Sequence, residues 1–160
     1  AQGGALNNQI AAKAVCFKEA LTNEYQEYAK QILKNAKALS DSFQEQGLRV
    51  ISGGTENHIV LVDTRSVDEE LTGKEAGILL NDRGVTLNRN AIPFDPRSPF
   101  ITSGIRMGTP AVTTCGMKEN ELTQVGFLIS EIMKNRSDEN KLNELEAEVR
   151  SIATSFQPYG

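Results

Sequence analysis

Arg106 stands between two glycines in Gly104-Ile105-Arg106-Met107-Gly108, and its type and setting suit it to hold a free carboxylate. A planar guanidinium can grip a carboxylate with two parallel charge-assisted hydrogen bonds, which fixes orientation as well as position. The flanking glycines leave room for close approach. From pattern alone an arginine in a strand is more often paired with an acid, so the residue leaves both readings open. A second candidate is the segment from Asn88 to Ser103, which holds Pro93, Pro96 and Pro99, three of the five prolines. Long ordered segments of this kind are uncommon and often functional. Within it the Asn90 amide offers donors and an acceptor to a ring edge, and Phe100 offers an apolar wall. The plainer alternative is a proline-stiffened surface loop. Gly3 and Gly4 let a backbone approach an anion closely, although such a pair on its own usually marks a flexible turn. His58 invites an acid–base reading by its type but is read as structural. Lys74 and Glu75 read as a solvated helix turn, and Glu144, Glu146 and Glu148 as a solvated helix face.

These side chains need elements to position them, and the apolar spacing supplies them. Ile10, Ala14, Phe17 and Leu21 recur at helical spacing. Asn23 with Gln26 resembles a capping box opening a second helix, whose face carries Ala29, Ile32, Leu33, Ala36, Leu39 and Phe43 and which Gly47 ends. Arg49–Ile51 reads as a short strand and Ser52-Gly53-Gly54 as a turn. His58–Asp63 is a nearly all-apolar strand, expected to be covered on both faces. Thr72-Gly73-Lys74-Glu75 opens a short helix through Leu80, closed by Gly84. Val85–Leu87 and Gly104–Gly108 read as strands, and Pro110–Thr114 as extended. Leu122, Val125, Ile129, Ile132 and Met133 mark one more amphipathic helix, and Leu142, Leu145, Val149 and Ile152 a last one. The sum is an α+β fold, a short antiparallel sheet with long helices packed on it.

Composition narrows the class. A chain of 160 residues with 39% apolar and 24% charged residues suits one globular core. The net charge of -4 and scattered basic residues argue against nucleic acid, which needs clustered Lys and Arg. No stretch approaches the ~20 apolar residues of a membrane span, and no signal-peptide pattern opens the chain. Two cysteines far apart in sequence, Cys16 and Cys115, fit a reduced, cytoplasmic protein. With His58 as the single histidine, no metal site is expected. The start at Ala1, without Met and running directly into a helix, predicts a piece of a longer protein.

Several segments, taken together and in order, carry a family resemblance. They are Gln2-Gly3-Gly4, Ala11–Val15, Phe17–Ala20, Gly53-Gly54-Thr55-Glu56-Asn57-His58, Leu71–Ala76, and the most specific block, Ser98–Ala111. The chain resembles the C-terminal third of serine hydroxymethyltransferases. That resemblance implies the small domain of a fold-type I pyridoxal-phosphate enzyme. Such an enzyme interconverts serine plus tetrahydrofolate and glycine plus methylenetetrahydrofolate, and the complete protein is expected to be a homodimer or dimer of dimers. It implies that Arg106 binds the substrate carboxylate. It also implies that Asn90, Ser98, Pro99 and Phe100 border the folate pocket, and that Gly3 and Gly4 serve the cofactor phosphate of a neighbouring subunit. Residues 1–46 would link the large and small domains, and 47–160 would form the small domain. The family's Schiff-base lysine sits in a Thr-His-Lys segment. None of the nine lysines here has that context, so no catalytic residue is assigned and the chain alone is expected to be inactive. Two positions depart from the family pattern: Ala5-Leu6-Asn7-Asn8 stands where Pro-Leu-x-His is usual, and Cys115 where an Arg precedes the glycine. A folate or amino-acid binding module and the small domain of an aminotransferase-like enzyme are the alternatives.

Overall fold

A small sheet and the helices that follow residue 22 share one core in the computed structural model, which describes residues 3–156, so Gln2 of the first motif lies outside the described residues; the first helix buries no side chain in that core. Helix α1 spans Asn7–Ala20 and α2 spans Asn23–Glu45; strand β1 is Arg49–Val50 and β2 is Ile59–Asp63. Then come α3 (Gly73–Asp82), β3 (Asn88–Asn90), β4 (Gly104–Gly108), α4 (Pro110–Thr114), α5 (Glu119–Lys134) and α6 (Glu139–Ser155). The sheet is fully antiparallel in the order β1-β2-β4-β3, so the strand bearing Arg106 is central. The α+β expectation with a short antiparallel sheet is borne out.

The core lies between one sheet face and the helices. Val60 and Val62 of β2 and Ile105 of β4 are fully buried, and they join Ala36, Leu39 and Phe43 of α2 with Leu122, Ile129, Ile132 and Met133 of α5. Burying side chains of this size is the main favourable term in folding, ~1.5–3 kcal/mol each. Helices α2 and α5 meet at Gly126, where an added Cβ would lie 2.7 Å from Ser42 Oγ. That hydroxyl instead donates to the Thr123 carbonyl at 2.8 Å. Arg83, at the end of α3, donates to Glu139, Asn143 and Glu146 and so ties α6 to the domain.

Some sequence expectations need correction, each for a physical reason. The cap of α2 is Thr22 rather than Asn23: Thr22 has extended backbone, its hydroxyl accepts from Tyr25 N–H, and Asn23 already lies in the helix. The third strand is Asn88–Asn90, not Val85–Leu87, because the residues that come opposite Arg106–Gly104 are Asn88–Asn90, while Val85 and Leu87 pack their side chains on the core. The segment Pro110–Thr114 is a helical turn rather than extended. Pro110 sits in its first turn, where no N–H is needed, and its end is pinned to α2 by Tyr28 Oη with Thr114 Oγ1 at 2.9 Å. Asn35, fully buried on α2, donates to Thr113 Oγ1 and the Met117 carbonyl beside it. Ile51 begins a 3-10 turn, so the first strand stops at Val50, and β2 begins at Ile59 rather than His58. The apolar run in β2 is also covered on one face only: Val60 and Val62 are buried, whereas Ile59 and Leu61 are half-buried on the other face. The capping box at Thr72–Glu75 is present as expected.

Candidate functional site

The sheet face turned away from the main core carries the candidate chemistry, with Ile92 covering it at Gly104 and Arg106 left exposed. Residues directly opposite each other in an antiparallel pair point to the same face. Arg106 lies opposite Leu61 on one side and Asn88 on the other, and Asn90 lies opposite Gly104. Ile105 and Met107 point into the core, so the alternation of β4 sends Arg106 outward, where it is exposed. Six of the eight arginines engage carboxylates, side-chain amides or carbonyls. Among the described residues Arg89 and Arg106 have no such partner; Arg89 borders a cleft that also holds Asp82, whereas the cleft beside Arg106 has no acidic side chain in its lining. That cleft measures about 450 Å³ and is lined in part by Arg106, His58, Asn88, Thr86 and Gly108. The acid that commonly neutralises a strand arginine is therefore missing, and the guanidinium keeps its full donor set for a ligand.

The segment from Ala91 to Ser103 is ordered by one carboxylate. Asp95 Oδ2 accepts from the Ile92 and Ser103 N–H groups at 3.1 and 2.9 Å. Its Oδ1 accepts from Arg97 N–H at 2.9 Å and from Ser103 Oγ at 2.7 Å. Burial pushes this carboxyl up, but the hydrogen bonds from Arg97, Ser103 and Ile92 outweigh it and hold it below the usual carboxylate range. The segment is also tied to the start of α3: Gly73 and Lys74 N–H groups donate to the Thr102 and Ile101 carbonyls, and Arg97 donates to the Leu71 and Glu69 carbonyls. Gly73 is required there, because a Cβ would fall 2.5 Å from the Gly104 carbonyl oxygen.

The serine hydroxymethyltransferase family model matches residues 1–129. A curated serine hydroxymethyltransferase of Psychrobacter sp. (strain PRwf-1) is 49% identical over 158 residues, which is 99% of this chain and 37% of that protein. This chain belongs to the serine hydroxymethyltransferase family. It spans little more than a third of the length of that relative.

Within this chain the residues singled out from sequence divide into two groups. Arg106 and Asn90 share one sheet face, with Asn90 Nδ2 turned to the Ala91 carbonyl at 2.7 Å. Ser98, Pro99 and Phe100 form an exposed turn in the same segment; the Ser98 carbonyl accepts from Ile101 and Thr102 N–H groups, and Phe100 is 79% exposed. Gly3 and Gly4 stand apart, ahead of α1, exposed and with nothing within 4 Å of an added Cβ. His58 borders the cleft, and its carbonyl accepts from Thr109 N–H at 3.1 Å, a link that joins β2 to the end of β4. Sequence reasoning passed over Asn88, Asp95 and Arg97. The Asp95-Pro96 step was a usable signal, since aspartate before proline favours turn initiation with a side-chain acceptor. No lysine lines the cleft, and eight of the nine are exposed with Lys141 half-buried. Among the described residues no cluster could hold a metal ion, and no helix is long and apolar enough to cross a membrane.

Proposed function

We propose that this chain is the substrate-orienting half of a cytoplasmic, pyridoxal-phosphate-dependent serine hydroxymethyltransferase, with serine, glycine and tetrahydrofolate as its small-molecule partners. The observation that carries the reading is Arg106: a guanidinium without an acid, on the open face of the central strand, beside a cleft. It takes the amino-acid carboxylate as a two-point fork and so sets which bond at the α-carbon faces the cofactor ring. Asn90, at the end of β3, and the Ser98-Pro99-Phe100 turn in the segment that joins β3 to β4 border the folate, Asn90 by hydrogen bonding to the pterin edge and Phe100 by apolar contact.

Pyridoxal phosphate, when bound, supplies the electron sink for the carbanion at the substrate α-carbon. The groups in this chain fit its phosphate in one place. Gly3 and Gly4 have open backbone, and among the described residues neither N–H donates a hydrogen bond, so both are free for an anion of a neighbouring subunit. No lysine lines the Arg106 cleft, and in this reading the lysine that holds the ring belongs to another part of the complete protein. Residues 1–46 serve as the segment between large and small domains and 47–160 as the small domain. Helix α2 does both jobs, because Ala36, Leu39 and Phe43 in its second half are core residues. The complete enzyme works as a homodimer or dimer of dimers.

Steady-state kinetics of Arg106→Lys in the complete enzyme tests this reading. An ammonium cannot reproduce the fork, so kcat/KM for serine should fall by about a hundredfold, in line with the ~2–5 kcal/mol cost of disrupting a desolvated charge pair. Kinetics within twofold of the unaltered enzyme would remove Arg106 from substrate binding.

A further inference from the structure

We propose that Asp95 is a positioning residue for the reduced-folate site, its carboxylate holding the Asn90–Phe100 segment in the shape that receives the pterin. The inference rests on the folate reading of that segment and deepens it. Asp95 is half-buried, and its four hydrogen bonds are all to groups within residues 91–103. It closes the segment from inside by joining Ile92, two residues after Asn90, to Ser103, three residues before Arg106. The link to Arg97 N–H sets the start of the turn that presents Ser98, Pro99 and Phe100. The exposed aromatics have no packing of their own to fix them: Phe100 is 79% exposed and Phe94 fully so. Their placement therefore depends on the backbone, and the backbone here has no strand or helix ladder between Ala91 and Ser103. One carboxylate with four donors replaces that ladder.

The donors also explain why only a carboxylate serves. Three of the four are N–H groups, which can only donate, and they reach both oxygens: Ile92 and Ser103 on Oδ2, Arg97 on Oδ1. An asparagine of the same shape must place its NH2 at one of these positions, facing at least one N–H donor in either orientation. Buried donors left without an acceptor carry their full desolvation cost. Asp95→Asn is thus a near-isosteric change that loosens the segment. Arg106 remains held by the ladders to β2 and β3.

The test uses the complete enzyme and separate calorimetric titrations with glycine and with tetrahydrofolate in the presence of glycine. For Asp95→Asn the folate dissociation constant should rise about tenfold while the glycine constant stays within twofold. Ser103→Ala, which removes one hydroxyl donor and leaves the Ser103 N–H bond, should give the same split at smaller size. Asn90→Ala separates this inference from the folate reading. If Asn90→Ala weakens folate and neither Asp95→Asn nor Ser103→Ala does, Asp95 has no positioning role. If Asn90→Ala leaves folate binding unchanged as well, the assignment of the segment to folate is itself wrong. Equal losses for glycine and folate in both Asp95→Asn and Ser103→Ala would reduce Asp95 to a general structural residue and overturn the proposal.

Discussion

Gly104 lies so close to Asn90 that a Cβ on Gly104 would sit 2.7 Å from the Asn90 carbonyl oxygen and 2.8 Å from a methyl of Ile92. The strand that carries Arg106 and the strand that carries Asn90 are therefore spaced by the absence of a side chain. Gly104→Ala should push β3 away from β4 and cost about 1–3 kcal/mol, the range for forcing extra volume into a packed site. Chemical denaturation measures the loss. An alanine variant as stable as the parent would show that the strands can separate without cost.

Asp63 ends β2 with its side chain almost fully buried, and it accepts from Arg65 N–H and guanidinium and from Arg49. Burial pushes its carboxyl up, but the hydrogen bonds and charge of Arg65, with Arg49, outweigh this and hold it below its ordinary value. A carboxyl lowered in the folded state contributes stability that is complete above its unfolded value of about 3.9 and is lost as pH falls through the folded value. Asp68, Glu75 and Asp95 are lowered in the same direction. Stability should therefore fall below about pH 4, and Asp63→Asn should cost about 2 kcal/mol near neutral pH while flattening that acid limb. Unfolding curves at a series of pH values check both, and an unchanged acid limb in Asp63→Asn would contradict the assignment.

The lysines make a separate prediction. Lys30, Lys37, Lys134 and Lys141 pair with acids on their own helices, and none of the nine lines the Arg106 cleft. This chain alone, mixed with pyridoxal phosphate and reduced with borohydride, should show no adduct concentrated at one lysine. Mass mapping that finds a single stoichiometric site would overturn the division of labour proposed for the complete enzyme.

How much of this was legible in sequence depends on where the deciding interaction lies. Helices α2, α5 and α6 were readable from apolar spacing because their faces meet a single core. The Thr72–Glu75 box was readable because both of its bonds are local. Asn88–Asn90 was not, because three polar residues become a strand only by pairing with Gly104–Arg106, more than a dozen residues later. The α4 turn was hidden for a similar reason, since Tyr28 and Asn35 reach it from α2. Arg106 was visible by type and flanking glycines, but its lack of an acidic partner is a three-dimensional fact. Asp95 was passed over, because an acceptor of four donors spread over twelve residues exists only in the folded segment.

The most direct measurement of the central claim is a crystal structure of the complete enzyme with glycine bound. The two carboxylate oxygens should each lie about 2.7–2.9 Å from a different nitrogen of Arg106, in the plane of the guanidinium. A glycine carboxylate held by other groups, with Arg106 turned to solvent or paired with an acid, would contradict it.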